Sequence, residues 1–264
     1  MQMSQFIPEI PMIRCDFSLI GSAKYVSQIE ENLQWRSTDK TGDWGISIGD
    51  VRCNDTSLVT NMLYNLLPEH QWGWIVRYQK EYGIEPVLNL QIHCKESCFP
   101  FVVFDRKLIR FLKKTLTRIC LFACEEGSTS SYHDCREIRL NLFLKGEDLP
   151  FDQIEKATGK QATFKKRKDE FPEAVRDQAL DCWVYETNKF YVEELPQMAV
   201  ALYDAFSEKV NHLICSETSF MEMCIYSNDE EKGISFKAML PEALTLLADE
   251  LGVPLFFGKY LMIK

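Results

Sequence analysis

The sequence predicts an α+β protein built from two tandem copies of a β-α-β-α-β-β-α-β unit, each a sheet covered by helices. Three observations carry this. The stretch IRCDFSLIGSAKYVSQIEE (13–31) is echoed by IRLNLFLKGEDLPFDQIEK (138–156), which sets Phe17 over Leu142, Leu19 over Leu144 and Gln28-Ile29-Glu30 over Gln153-Ile154-Glu155. A second strand follows in each copy, with Trp44 of DWGIS over Trp183 of DCWVYET. A third block matches Leu88, Leu90 and Ile92 to Met221, Met223 and Ile225. Separate blocks recurring in one order are the signature of a repeated fold.

Each element has its own reason. The first strand alternates apolar residues and ends at Gly21 or Gly146, which reads as a half-buried strand followed by a turn. A short amphipathic helix carrying Gln-Ile-Glu comes next. After the tryptophan strand, Val59, Met62, Leu63 and Leu66 lie over Met198, Ala201, Leu202 and Ala205. Their spacing of three and four marks a helix with one buried face. The third strand is followed by a predicted hairpin turn, KESCFP (95–100) in one copy and NDEEKG (228–233) in the other. Then comes a helix, Leu108-Ile109-Leu112-Leu116 over Ala243-Leu244-Leu247-Leu251, and a closing strand, RICLFAC or VPLFFGKY.

The copies are expected at 1–125 and 136–264, joined by a Gly- and Ser-rich linker over 126–135. They differ in two insertions. The first copy gains HQWGWIVRY (70–78), and the second gains TFKKRKDEFPEAVRDQ (163–178), read as a surface loop.

Composition narrows the functional classes. With 46% hydrophobic residues the 264-residue chain can fill a sizeable core. A net charge of −9 disfavours nucleic acid and anionic lipid and favours a basic partner. No apolar run is long enough to span a membrane and the start does not read as a signal peptide, so a cytoplasmic location is expected. The ten cysteines then read as buried thiols in a reducing compartment.

Catalytic and metal patterns are weak. His93, Cys94, Cys98, Cys120 and Cys124 contain Cys-x3-Cys spacings, but Cys120 and Cys124 fall about 13 Å apart on one strand, too far to share an ion. A Cys94–His93 pair is the one nucleophilic arrangement on the page, and His133 lies in the linker. No Gly-rich phosphate loop opens a helix, so no cofactor is expected. The run Lys165-Lys166-Arg167-Lys168 reads as a solvated loop, because acidic residues follow it directly.

Two features point to protein binding. Trp72 and Trp74 either anchor a partner or cap the core. The acidic residues Asp229, Glu230 and Glu231 at a turn, with Glu193 and Glu194, either steer a basic partner or simply carry surface charge.

The second copy resembles a bacterial family known as domain of unknown function 4279. The likeness rests on IRLNLFLKGEDL, DQIEKATGKQAT, KKRKDEF leading to CWVYET, and LADELGVPLFFGKYL, in that order. The first copy looks like a diverged version. That resemblance implies no catalytic residues. It implies instead an immunity protein of a polymorphic toxin or contact-dependent growth inhibition system, which binds a cognate, basic toxin domain such as a nuclease and occludes its active site. The expectation is therefore a non-enzyme, monomeric or weakly dimeric. The alternative is an intracellular adaptor or self-associating structural module.

Overall fold

The computed structural model describes residues 10–39, 41–94, 102–125, 137–214, 217–226 and 235–259. The expected linker over 126–135 lies outside these residues, as do both expected turns. In chain order the first part holds β1 (Met12–Ile20), α1 (Val26–Leu33), β2 (Trp44–Arg52), α2 (Ser57–Leu66), α3 (Trp72–Tyr82), β3 (Glu85–Cys94), β4 (Val102–Phe104), α4 (Arg106–Thr115) and β5 (Arg118–Glu125). The second part holds β6 (Glu137–Gly146), α5 (Phe151–Thr158), β7 (Phe164–Lys166), α6 (Glu173–Arg176), β8 (Asp181–Glu186), β9 (Phe190–Tyr191), α7 (Leu195–Phe206), β10 (Phe220–Tyr226), β11 (Ser235–Leu240), α8 (Glu242–Leu251) and β12 (Leu255–Lys259). The protein is a mixed α+β fold with helices packed on sheets. No helix among the described residues is long and apolar enough to cross a membrane.

Two compact units form, and they interleave along the chain. The first takes residues 1–102, 115–135 and 227–239; the second takes 103–114, 136–226 and 240–264. The first unit's sheet runs β11-β5-β3-β1-β2, and the second's runs β4-β12-β10-β6-β8-β7 with β9 also on β6. Four strands follow one plan in both: β3 pairs parallel with β5 and antiparallel with β1, as β10 does with β12 and β6. Register agrees as well. Phe17 faces Leu88 and Leu19 faces Trp44 in the first sheet, where Leu142 faces Met221 and Leu144 faces Trp183 in the second.

The expected hairpins do not form. β4 does not pair with β3, nor β11 with β10; β4 sits beside β12 and β11 beside β5. The reason lies in the strand order. The side of β3 away from β1 is already taken by β5, so the next short strand must find an edge elsewhere. Each unit is thereby closed by a strand encoded far away in the sequence.

Alternation sets which face of each strand is buried. Ile13, Cys15, Phe17 and Leu19 on β1 are fully buried, and so are Ile138, Leu140, Leu142 and Leu144 on β6. Helices supply the cover. Phe206 of α7 meets Trp183 edge-on at 5.9 Å, and α2 runs against β2. Within the first core, Phe17 and Trp44 meet edge-to-face at 6.2 Å.

The β1–β2 ladder carries a bulge, since Cys15 faces Gly49 but Asp16 faces Ser47. Gly49 holds φ +132°, a conformation essentially reserved for glycine, and an added Cβ would stand 2.7 Å from the Met62 terminal methyl. Gly49→Ala should therefore cost about 2 kcal/mol, read as a lowered urea midpoint at constant slope.

The stretch expected as a surface loop over 163–178 is partly ordered structure. Phe164–Lys166 forms β7 at the edge of the second sheet, against β8.

Candidate functional site

The tryptophans of the first insertion belong to their own unit. α3 buries Trp72, whose indole N–H donates to the Leu67 carbonyl at 2.8 Å and whose ring meets Tyr64 edge-on at 5.1 Å. Trp74 is half-buried, with the Arg77 guanidinium 5.2 Å from its ring centre. Neighbouring Tyr78 is buried and accepts a hydrogen bond from Asn32 Nδ2 at 2.7 Å. Trp72 thus fastens α3 to the core and has no free face for a partner.

The acidic candidates divide. Asp229, Glu230 and Glu231 lie outside the described residues. Glu193 and Glu194 are both exposed, on a single turn of 3-10 helix, Val192–Glu194, that leads into α7. Glu194 Oε2 accepts the Tyr191 N–H at 2.9 Å, a capping contact, whereas Glu193 stands in solvent. Glu193 and Glu194 belong to the second unit and the two tryptophans to the first, so no single unit gathers the predicted residues.

The cysteine and histidine candidates rearrange. Consecutive strand residues point to opposite faces, and Cys94 lies with Ile92 in the buried layer while His93 is on the other side. A Cys94–His93 pair is therefore ruled out by geometry. His93 instead meets Cys124 across the β3–β5 ladder, Nδ1 to Sγ 3.1 Å. Both sit on the sheet face that also carries Arg14 and Asp50, paired at 2.8 and 2.9 Å. The Arg14 guanidinium holds the Asp50 carboxyl below its usual range, and the His93 charge adds to this. Cys98 and His133 lie outside the described residues. Among the described residues no group of three or more His, Cys, Asp or Glu side chains is placed to hold a metal ion.

The basic run is anchored rather than solvated at Arg167. Its guanidinium lies 2.5 Å from Asp181 Oδ2, donates to the Leu149 carbonyl at 2.6 Å and stacks 3.8 Å over the Phe151 ring. Lys165 is tied to Glu155 at 3.0 Å. Sequence reasoning missed this because Asp181 looked like the start of a strand, and a strand-initial carboxylate gives no hint of a partner fourteen positions back.

One surface with binding character is the outer face of α7. Its inner face buries Leu195, Ala199, Leu202, Ala205 and Phe206. The outer face leaves Val200 51% exposed, and Tyr191 just before the helix is 56% exposed. Exposed Glu193, Glu194, Asp204 and Glu208 lie on the same stretch of chain, with exposed Lys209 next to the last of them. An apolar anchor inside a charged rim is the usual anatomy of a protein-binding patch. No family model matches the chain, nor does any curated protein or solved structure.

Proposed function

We propose that the chain is a non-catalytic immunity protein that binds a cognate, basic toxin domain of bacterial origin, a nuclease by charge preference, and covers its active site. The observation that carries this reading is the stretch through α7, in which Tyr191 and Val200 are exposed and Glu193, Glu194, Asp204 and Glu208 are exposed as well. A net charge of −9 complements a basic partner and speeds its approach, while the two apolar side chains supply the desolvated contact that slows its departure.

The rescue experiment is direct. The C-terminal region encoded by the reading frame immediately upstream is expressed alone and together with this chain. Death in the first case and survival in the second supports neutralisation; toxicity that persists in both refutes it. Within a working pair, Glu193→Lys should lower the association rate several-fold at low ionic strength, with the effect shrinking near 0.5 M salt. Tyr191→Ala should instead raise the dissociation rate at least tenfold. Surface plasmon resonance measures both, and unchanged rates in both variants remove α7 from the interface.

A further inference from the structure

The outer face of the first sheet brings together a thiol and an imidazole that are 31 positions apart in the chain. Period-two alternation puts Gln91 and His93 of β3 on one face and Ile92 and Cys94 on the other. Parallel pairing of β3 with β5 then sets Gln91 beside Phe122 and His93 beside Cys124. The result is the Nδ1–Sγ contact of 3.1 Å.

Cys124 stands apart from the other described cysteines. Cys15, Cys53, Cys94, Cys120, Cys182 and Cys224 are buried, whereas Cys124 is half-buried and in no disulfide. Burial pushes the thiols of Cys15, Cys53, Cys120, Cys182 and Cys224 up, so they stay protonated and inert.

The thiolate, not the thiol, is the nucleophilic form of cysteine. With its proton on sulfur, Cys124 donates to His93 Nδ1; with the proton on the ring, the Nδ1–H donates to a thiolate. One transfer across the contact therefore generates the nucleophile without help from a base in solution. The surrounding charge is compatible with this. Arg52 of β2 stands in the same cross-strand row as His93, beyond Met12 of β1. Arg14 and Asp50 occupy the next row, paired to each other, and Asp50 also feels the His93 charge. Lys237 of β11 lies 4.8 Å from the ring centre of Phe122, the neighbour of Cys124 on this face. Among the described residues, three cations thus face one carboxylate, a balance that suits an anionic sulfur.

We propose that Cys124 and His93 form a nucleophilic thiol–imidazole pair, and that Cys124 is the site at which small, uncharged, soft electrophiles modify the chain. Sulfur forms a bond to the electrophilic carbon, the leaving group departs with the electron pair of the bond that breaks, and the thiol proton passes to His93 Nδ1 and on to water. Half-burial restricts the site to small reagents. The step is a stoichiometric modification rather than a turnover. Both residues belong to the first unit and α7 to the second, so the pair does not rest on the partner-binding reading.

The test uses the full chain and iodoacetamide, which loses iodide as the sulfur–carbon bond forms, with each adduct located by peptide mass spectrometry. Exposure alone predicts that Cys124 reacts more slowly in the folded chain than in concentrated urea, where every thiol is open. The pair predicts the reverse. At pH 7 folded Cys124 should react about tenfold faster than the same thiol in the unfolded chain, where only a few per cent of it is ionised. His93→Gln should bring the folded rate down to the unfolded one or below at pH 7. Native and variant rates should converge near pH 10, where hydroxide ionises the thiol in both. Folded Cys124 reacting more slowly than unfolded, a rate unchanged by His93→Gln at pH 7, or a deficit of the variant that persists near pH 10 each overturns the pair. The comparison of folded with unfolded on the unmodified chain decides even where the variant folds badly.

Discussion

A fragment running from Arg136 to Lys264 is expected not to fold, although it holds every element of the second predicted copy. The second unit is completed by residues 103–114 from the first part of the chain. They supply β4, at the sheet edge beside β12, and most of α4. Four side chains of α4, Leu108, Ile109, Phe111 and Leu112, are at most 2% exposed, and Lys113 pairs with Asp249 on α8 at 2.5 Å. Burying four such side chains contributes about 8 kcal/mol, an upper figure because unfolded chains already bury some apolar area. That matches the whole stability of an ordinary domain. The fragment also carries β11 without β5 to pair with, a strand edge that invites aggregation. Amide dispersion and urea titration measure the outcome. A synthetic peptide of residues 102–115 added to the fragment should restore cooperative unfolding. A fragment that unfolds cooperatively without the peptide would show that the exchange of strands is dispensable.

That interleaving also marks where the sequence stops being legible. The longer strands of both sheets follow from period-two alternation, and the correspondence of Trp44 with Trp183 was written in the aligned blocks, whereas the pairing of Leu19 with Trp44 and of Leu144 with Trp183 emerges only in the folded sheets. Alternation tells which residues face the core, but it carries nothing about which strand lies alongside. β4 is three residues long, and its partner β12 lies about 150 positions away, so no local pattern connects them. A short connection favours neighbours in space, and here occupancy of β3 by β5 overrides that preference. The candidate surfaces show the same division. Exposed Glu193 and Glu194 were readable as charge, whereas Trp72 was an aromatic whose burial only the folded unit reveals. Phe164 and Lys166 read as loop residues. Their place at the edge of the second sheet depends on β7 pairing with β8, and a three-residue edge strand inside a charged insertion has too little pattern to announce itself.

The insertion holding β7 is secured at one carboxylate, and removing it should produce the largest loss of any single surface-proximal change. Asp181 has a 6% exposed side chain whose carboxylate accepts three hydrogen bonds: from the Leu149 N–H at 3.1 Å and the Arg167 guanidinium at 2.5 Å on Oδ2, and from the Lys168 N–H at 2.7 Å on Oδ1. Burial by itself would raise its pKa, but the Lys168 N–H and the Arg167 guanidinium outweigh burial and hold it below the usual carboxylate range. Asp181→Ala strands two backbone donors and a cation, so a loss of about 3 kcal/mol is expected, the lower end for a broken buried pair because Arg167 remains partly solvated. Arg167→Met should cost less, about 1 kcal/mol, since the carboxylate keeps both backbone donors. The pH dependence has a definite sign. A carboxyl depressed in the folded state contributes stability that is fully present above its unfolded pKa, about 3.9, and that is lost as pH falls through the lower folded value. The stability gap between the native chain and Asp181→Asn should therefore be flat from pH 7 to about 5 and close on further acidification. A gap that stays constant down to pH 2 would mean that Asp181 acts through packing alone, and the anchoring of β7 would then rest on Lys165–Glu155 and the β7–β8 ladder.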